Sequence, residues 1–319
     1  MRWAIIGTGI IAETMVQTLH SLPDMRITAV VSRTPSRAAA FAQRHGIEHT
    51  FGSVDHLDPS AVDVAYVAST NDRHVADAVT CLEAGIPVLL EKPVALDTAG
   101  ALRIVETARE NGVFLMEAMW MHFQPYWRAL ETLIAEGAVG PVRSITADLG
   151  FPAVADPTRR WFSADQGGGA LLDVGIYPVT FATLLAGEPI VVAAVATVAP
   201  SGVDDQVAMS MVHDHGIVSW LGCSFVSDSA DEAVVAGPDG RIRVTSRFHQ
   251  SGGLEVWRAG ELIASHDLSY EGTGYEFEVE EVRRCLEAGL LESPTHPLDT
   301  TLMVMRTLDR VREAAAVPT

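Results

Sequence analysis

The sequence predicts an α/β Rossmann domain with a parallel sheet, followed by a C-terminal α+β domain with a large, mostly antiparallel sheet. Three observations predict it. Strand and helix patterns alternate regularly through the first third of the chain, as in a parallel sheet with crossover helices. A glycine-rich turn, Gly7-Thr8-Gly9-Ile10-Ile11-Ala12, joins the first strand pattern to the first helix pattern. Beyond about Trp120 the alternation gives way to many short strand patterns separated by turn signals. The 319 residues also exceed what one ordinary core supports. The expected domains are residues 1–120 and 121–319, with a short linker near Met119–Gln124.

Trp3–Ile6 reads as the first strand, and Ile11, Met15, Val16, Leu19 and Leu22 follow at helical spacing. Ile27–Val31 is the second strand. Thr34-Pro35 is an N-cap followed by proline at the first helical position, and Gly46 stops that helix. Val62–Ala68 is a buried strand, followed by a helix from about Asp72 to Ala84. Ile86–Leu90 is the next strand, Asp97 caps a helix that ends near Asn111-Gly112, and Val113–Met116 completes the series. In the second domain a helix covers roughly Pro125–Ala135. Strand patterns occupy Val142–Leu149, Ile190–Val198, Val207–His213, Ile217–Phe225, Ala233–Ala236, Arg241–Val244 and Leu254–Trp257. One helix starts just after Gly167-Gly168-Gly169, and two close the chain, about Tyr275–Ala288 and Pro297–Ala314.

Composition excludes several classes of function. The net charge of −19 shows no basic stripe for nucleic acid and repels an anionic membrane surface. No apolar run reaches the roughly 18 residues of a membrane span, and the N-terminus lacks the pattern of a signal peptide. Cys81, Cys223 and Cys285 are far apart and odd in number, which fits neither a disulfide framework nor a metal site. No His, Cys or carboxylate cluster points to a metal. A reducing, cytoplasmic setting is expected.

The chemistry concentrates at strand ends. In the Gly7–Ala12 loop the first glycine permits the tight turn, the second lets the backbone approach a pyrophosphate, and Ala12 takes the third small position. The helix N-terminus then offers N–H groups and a favourable dipole to phosphate. The second strand ends in Val31-Ser32-Arg33, where an NAD enzyme usually carries a carboxylate for the ribose. Serine and arginine suit a 2′-phosphate, so NADP is expected over NAD. The fourth strand pattern of the alternation runs into Glu91-Lys92-Pro93, which puts the Lys92 ammonium where the nicotinamide should lie, able to stabilise a developing oxyanion. Asp173 and Tyr177 share a helix face at i and i+4 after the three glycines. Those glycines are read as allowing close approach of substrate or cofactor. A nearby ammonium favours the phenolate form of a tyrosine.

The glycine loop, Thr70-Asn71, Glu91-Lys92-Pro93, Met116-Glu117-Ala118 and the run Gly167–Pro178 occur in this order. Together they resemble the glucose–fructose oxidoreductase / inositol dehydrogenase (Gfo/Idh/MocA) family over essentially the whole chain. The resemblance implies Lys92 as the catalytic lysine, Tyr177 as proton donor or acceptor and Asp173 as a substrate-site residue. The cofactor set expected with it is Gly7, Thr8, Gly9, Ile10 and Ile11 in the loop, Ser32, Arg33 and Arg37 at the ribose end, and Ser69, Thr70, Asn71, His74, Glu91 and Lys92. His74 reads first as structural. His122, Phe123 and Trp161 are candidate substrate-pocket residues beside Lys92, Asp173 and Tyr177. A cis Lys92-Pro93 bond is also expected.

Many family members have histidine in place of Tyr177, and tyrosine there is similar to the dihydrodiol and NADP-linked xylose dehydrogenase subgroup. The chain lacks the export signal and N-terminal arm of glucose–fructose oxidoreductase, so cofactor exchange with the NADP pool is expected. The expected activity is interconversion of a hydroxyl and a carbonyl on a small sugar, polyol or diol. The open C-terminal sheet is expected to form a homo-oligomer, dimer or tetramer. Two rivals are a non-catalytic dinucleotide-binding sensor and an enzyme that uses tightly bound NAD transiently to cleave a glycosidic bond.

Overall fold

The computed structural model describes residues 1–156 and 159–316. The chain forms two compact units, Met1–Phe123 with Glu271–Leu302, and Gln124–Tyr270 with the chain from Met303 on.

In the first unit β1 (Arg2–Ile6), α1 (Ile10–Ser21), β2 (Arg26–Val31), α2 (Pro35–His45), β3 (His49–Phe51), β4 (Val64–Val67), α3 (Asn71–Glu83), β5 (Val88–Glu91), α4 (Thr98–Asn111) and β6 (Leu115–Ala118) follow in order. The strands make a six-stranded sheet, β3-β2-β1-β4-β5-β6, with every pairing parallel. Strand order reverses between β1 and β4, and ligands of such sheets bind at that point, outside the carboxyl ends of the strands. The helix signals act as read. Thr34 stands at the N-cap position of α2 without a side-chain cap bond, Pro35 opens the helix, and Gly46 ends it at φ 66°. Asp97 accepts from the Gly100 N–H at 2.7 Å at the start of α4, a cap worth about 1 kcal/mol. The sequence reading misses β3, a three-residue edge strand too short to show alternation.

The second unit begins with α5 (Pro125–Ala135) and β7 (Ser144–Gly150), and α6 (Ile176–Ala186) follows the glycine run. Then come β8 (Val191–Val198), β9 (Asp204–Val212), β10 (Val218–Ser224), β11 (Ala233–Gly237), β12 (Gly240–Val244), β13 (Gly253–Arg258) and β14 (Glu261–Asp267). They form one eight-stranded sheet, β14-β13-β12-β11-β7-β10-β9-β8. Only β7 and β10 among these pairs run parallel. Alternation sets its two faces: Val207, Met209, Met211, Leu221 and Cys223 are buried, while Val191, Val195 and Trp220 are exposed. The reading misses β14, whose apolar pair Leu262-Ile263 breaks the two-residue period. The stretch Ala164–Ala186 is apolar enough by composition to cross a membrane, contrary to the expectation that no such run exists. Its most apolar 18-residue window is 83% buried and belongs to the core of this unit; Asp165, Gln166 and Asp173 interrupt the apolar run along the sequence.

Two helices close the chain, α7 (Glu276–Glu287) and α8 (Leu298–Ala314). Residues 271–302 belong to the first unit, which corrects the expected 121–319 domain. Val279, Val282 and Cys285 of α7 are fully buried. Tyr275 stacks on Trp120 with ring centroids 4.7 Å apart, and Thr273 Oγ1 lies 2.6 Å from Thr18 Oγ1. An apolar stripe shows that a helix buries a face but not which neighbour receives it.

Candidate active site

The glycine loop is shaped by backbone against backbone. Gly7 sits at φ +114°, and a Cβ there would lie 2.3 Å from the carbonyl oxygen of Ala68 at the end of β4. Only glycine fits where β1 and β4 diverge. Gly9 precedes α1, and a Cβ on it would meet nothing within 4 Å. Its missing side chain therefore serves no packing within the protein; it leaves room above the helix N-terminus. Ile10 beside it is exposed and Ile11 half-buried.

A pocket of about 230 Å³ brings together Gly7, Thr8, Gly9, Ser32, Arg33, Arg37, Ser69 and Thr70 of the expected cofactor set. Arg33 and Arg37 are exposed and have no ion pair or hydrogen-bonded side-chain partner among the described residues. The Ser69 and Thr70 hydroxyls are buried and likewise lack a partner among the described residues. Burying a hydroxyl unbonded costs free energy, and these two border the pocket. The space above Gly9, the helix N-terminus, two guanidinium groups and two unsatisfied hydroxyls fit a dinucleotide. Sequence reasoning missed Arg73 and Asp77, which also line the pocket and pair with each other at 3.1 Å. Both sit on α3 in an i,i+4 relation that could have marked them.

The remaining residues of this half are held from inside. His74 is buried, with Nδ1 2.7 Å from the Pro93 carbonyl and Nε2 3.2 Å from that of Ser69. It ties the start of α3 to the Lys92-Pro93 turn, whose peptide bond is cis, as expected. Asn71 is buried at the start of α3. Glu91 turns inward: its carboxylate accepts from the Tyr66 hydroxyl, and from the Lys92 main-chain N–H at 3.1 Å. Burial, with Glu91 beside it, pushes the Tyr66 hydroxyl well above its ordinary value. Lys92, half-buried, follows β5 at the ligand end of the sheet. His122 and Phe123 are buried in a single helical turn, Trp120–Phe123, just past β6.

In the second unit the chain widens into a π-helical turn, Leu171–Gly175, before α6. Pro178 has no N–H to return to the Val174 carbonyl, and such widened turns are frequent at functional sites. Asp173 lies in this turn and Tyr177 in α6, so the simple i,i+4 face of one α-helix is not what forms. Asp173 is buried and accepts from Arg160 Nη2 at 2.8 Å, a partner that the sequence did not reveal. Asp204 of β9 accepts from the Leu171 N–H at 2.6 Å and anchors the turn.

The glycines before the turn serve the fold. A Cβ on Gly168 would lie 2.6 Å from the Arg160 carbonyl, and one on Gly169 2.3 Å from Asp204. The expectation that they leave room for a ligand is corrected at these two positions: the approaching groups are the protein's own. Tyr177 is buried, its ring 5.1 Å from that of His249. Trp161 joins an aromatic cluster, 6.0 Å from Phe225 and 5.7 Å from Phe151.

Residues 1–119 match the model described as oxidoreductase family, NAD-binding Rossmann fold, and residues 127–243 match the GFO/IDH/MocA C-terminal domain. The chain is 34% identical to trans-1,2-dihydrobenzene-1,2-diol dehydrogenase of Mus musculus, over 99% of this chain and 97% of that one. The crystal structure of KijD10, a 3-ketoreductase from Actinomadura kijaniata, in complex with NADP and TDP-benzene, matches with a TM-score of 0.89 at 27% identity, over 98% and 97% of the two chains. Aldose-aldose oxidoreductase from Caulobacter crescentus, complexed with glycerol, shares the fold with a TM-score of 0.89 at 24% identity, over 99% and 97%. The chain is an NAD(P)-dependent dehydrogenase or reductase, and it belongs to the Gfo/Idh/MocA oxidoreductase family.

Proposed function

We propose that this enzyme uses NADP to interconvert a hydroxyl and a carbonyl on a small sugar, polyol or diol. The observation that carries the cofactor reading is the pair Arg33 and Arg37, which line the pocket without ion-pair partners among the described residues in a chain of net charge −19. Two guanidinium groups, Arg33 just past β2 and Arg37 in the first turn of α2, suit a 2′-phosphate. The substrate class is supported by the diol named for the Mus musculus relative and by the NADP-bound ketoreductase.

The bound nicotinamide supplies or takes up the hydride. Lys92 holds the reacting oxygen and stabilises charge on it. Tyr177 takes the hydroxyl proton in oxidation and returns it in reduction. Asp173, held by Arg160, orients the substrate. The Trp161 cluster suits an apolar substrate face. Exposed Val191, Val195 and Trp220 on one face of the second sheet support a homo-oligomer formed through it, and three buried free cysteines suit a reducing, cytoplasmic setting.

The test is a redox screen at the NADPH absorbance band, with trans-1,2-dihydrobenzene-1,2-diol, xylose and glucose and with each cofactor. Turnover with a diol or sugar, faster with NADP, is expected. Turnover confined to NAD overturns the cofactor reading, and inactivity with all three overturns the substrate class.

A further inference from the structure

Tyr66 is fully buried in β4, yet its side chain ends in a hydroxyl. Strand register sets where that hydroxyl goes. Tyr66 pairs with Leu89 of β5, and Glu91 lies two positions further along the same face of that strand. The phenol reaches along the face, and its hydroxyl donates to Glu91 Oε1. Glu91, also buried, accepts from the Lys92 main-chain N–H through Oε2 at 3.1 Å. One carboxyl therefore joins the interior of the sheet to the main chain of Lys92. Past Lys92, the Pro93 carbonyl lies 2.7 Å from the buried His74 Nδ1. The Lys92-Pro93 turn is thus held at both ends by side chains from neighbouring elements, Tyr66 through Glu91 from β4 and His74 from α3. All of these residues belong to the first unit.

A buried hydrogen-bonded pair adds little net stability, since apolar groups of the same shape do nearly as well. What the pair adds is direction. A carboxyl with a donor on each oxygen has one orientation, and the peptide that donates to it is fixed with it. Burial, with Glu91, Tyr275 and Glu278 alongside, pushes the Tyr66 hydroxyl well above its ordinary value. It therefore keeps its proton and stays a donor across the neutral range. Tyr66 has no exposed surface, so any effect it has on the chemistry passes through Glu91.

We propose that Tyr66, acting through Glu91, is a positioning residue for Lys92, fixing the main chain that carries the catalytic ammonium. This rests on the role given to Lys92 above and deepens it. Hydride transfer and oxyanion stabilisation both depend on alignment to a fraction of an ångström, which a rigid supporting shell supplies. Glu91 acts by geometry: the turn needs an acceptor for the Lys92 N–H and a partner for the Tyr66 hydroxyl, not a charge.

The test measures turnover of trans-1,2-dihydrobenzene-1,2-diol with NADP, at a temperature where circular dichroism shows each variant folded. Tyr66→Phe removes one oxygen. It should lower kcat and kcat/KM together by about three- to tenfold, the size of one neutral hydrogen bond, with KM and NADP affinity kept. Glu91→Ala should lose more. Glu91→Gln, whose amide still accepts from the Lys92 N–H and donates to the Tyr66 oxygen, should recover most of that loss. Amide hydrogen exchange read by NMR should show the Lys92 N–H exchanging faster in Tyr66→Phe, with Leu89 and Leu90 unchanged. A Tyr66→Phe variant that melts earlier but turns over normally, beside an impaired Lys92→Ala, overturns the proposal. So does Glu91→Gln as impaired as Glu91→Ala. Normal turnover of Lys92→Ala instead overturns the role of Lys92 itself. If neither the diol nor xylose is oxidised, the substrate reading fails, and exchange at the Lys92 N–H decides the proposal: an unchanged rate in Tyr66→Phe overturns it.

Discussion

Arg160 donates to the buried Asp173 carboxylate at 2.8 Å, thirteen positions along the chain, clasping the stretch that carries the three glycines. Removing the cation takes an ion-pair partner from a buried carboxylate, which costs about 3 kcal/mol for a fully buried pair and less here because Arg160 is one-third exposed. Arg160→Ala should therefore destabilise the protein by about 2 kcal/mol in chemical denaturation. A double-mutant cycle with Asp173→Asn should give a coupling of at least about 1 kcal/mol. Additive losses would make the pair incidental.

Arg33→Ala should weaken NADP about ten- to a hundredfold, the value of one charge-assisted hydrogen bond, and leave NAD nearly unchanged. Titration calorimetry with both cofactors checks this. Equal losses for the two would remove Arg33 from the 2′-phosphate.

Tyr177→Phe should lower turnover by about 10²–10⁴, the usual range for general acid–base help, with NADP affinity nearly intact. Lys92→Ala should be at least as damaging. Near-normal turnover of Tyr177→Phe across the pH range would assign the proton to another group.

Glu278 of α7 is fully buried, and neither carboxyl oxygen has a hydrogen-bond partner among the described residues. Burial, with the Glu91 carboxylate nearby, pushes its carboxyl well above the ordinary 4.5. Below that value both folded and unfolded chains hold the proton, and the group does not affect stability. As pH rises above 4.5 the unfolded chain loses it first, so stability falls with pH. Glu278→Met should therefore raise the melting temperature at pH 8 and change it little near pH 4. A gain that does not grow with pH would show that the carboxyl ionises in the folded protein.

Trp220→Glu, on the exposed face of β10, should shift the protein toward monomer in analytical ultracentrifugation while leaving the fold intact by circular dichroism. An unchanged mass would place any self-association elsewhere.

Local signals were legible where chain neighbours decide the outcome. Thr34, Pro35 and Gly46 bounded α2, and Asp97 and Gly112 bounded α4, because caps and left-handed stops act within one helical turn. Short edge strands were not. β3 has three residues and β14 breaks the two-residue period, so their pairing depends on a neighbouring strand instead of their own pattern.

By itself, the sequence determined the α/β-then-α+β order, the glycine turn after β1, the carboxylate-free end of β2 and the Lys92-Pro93 turn, since each is written in contiguous residues. The tertiary structure alone decided which polar groups meet. His296 reaches His122 across 174 positions and Glu117 across 179, and Asp204 reaches the Leu171 N–H across 33. It also turned Gly168 and Gly169 toward the protein's own backbone and Asp204, and returned residues 271–302 to the first unit. Periodicity shows that a side chain is buried. Its partner is set by where distant segments pack, and nothing in the local sequence encodes that.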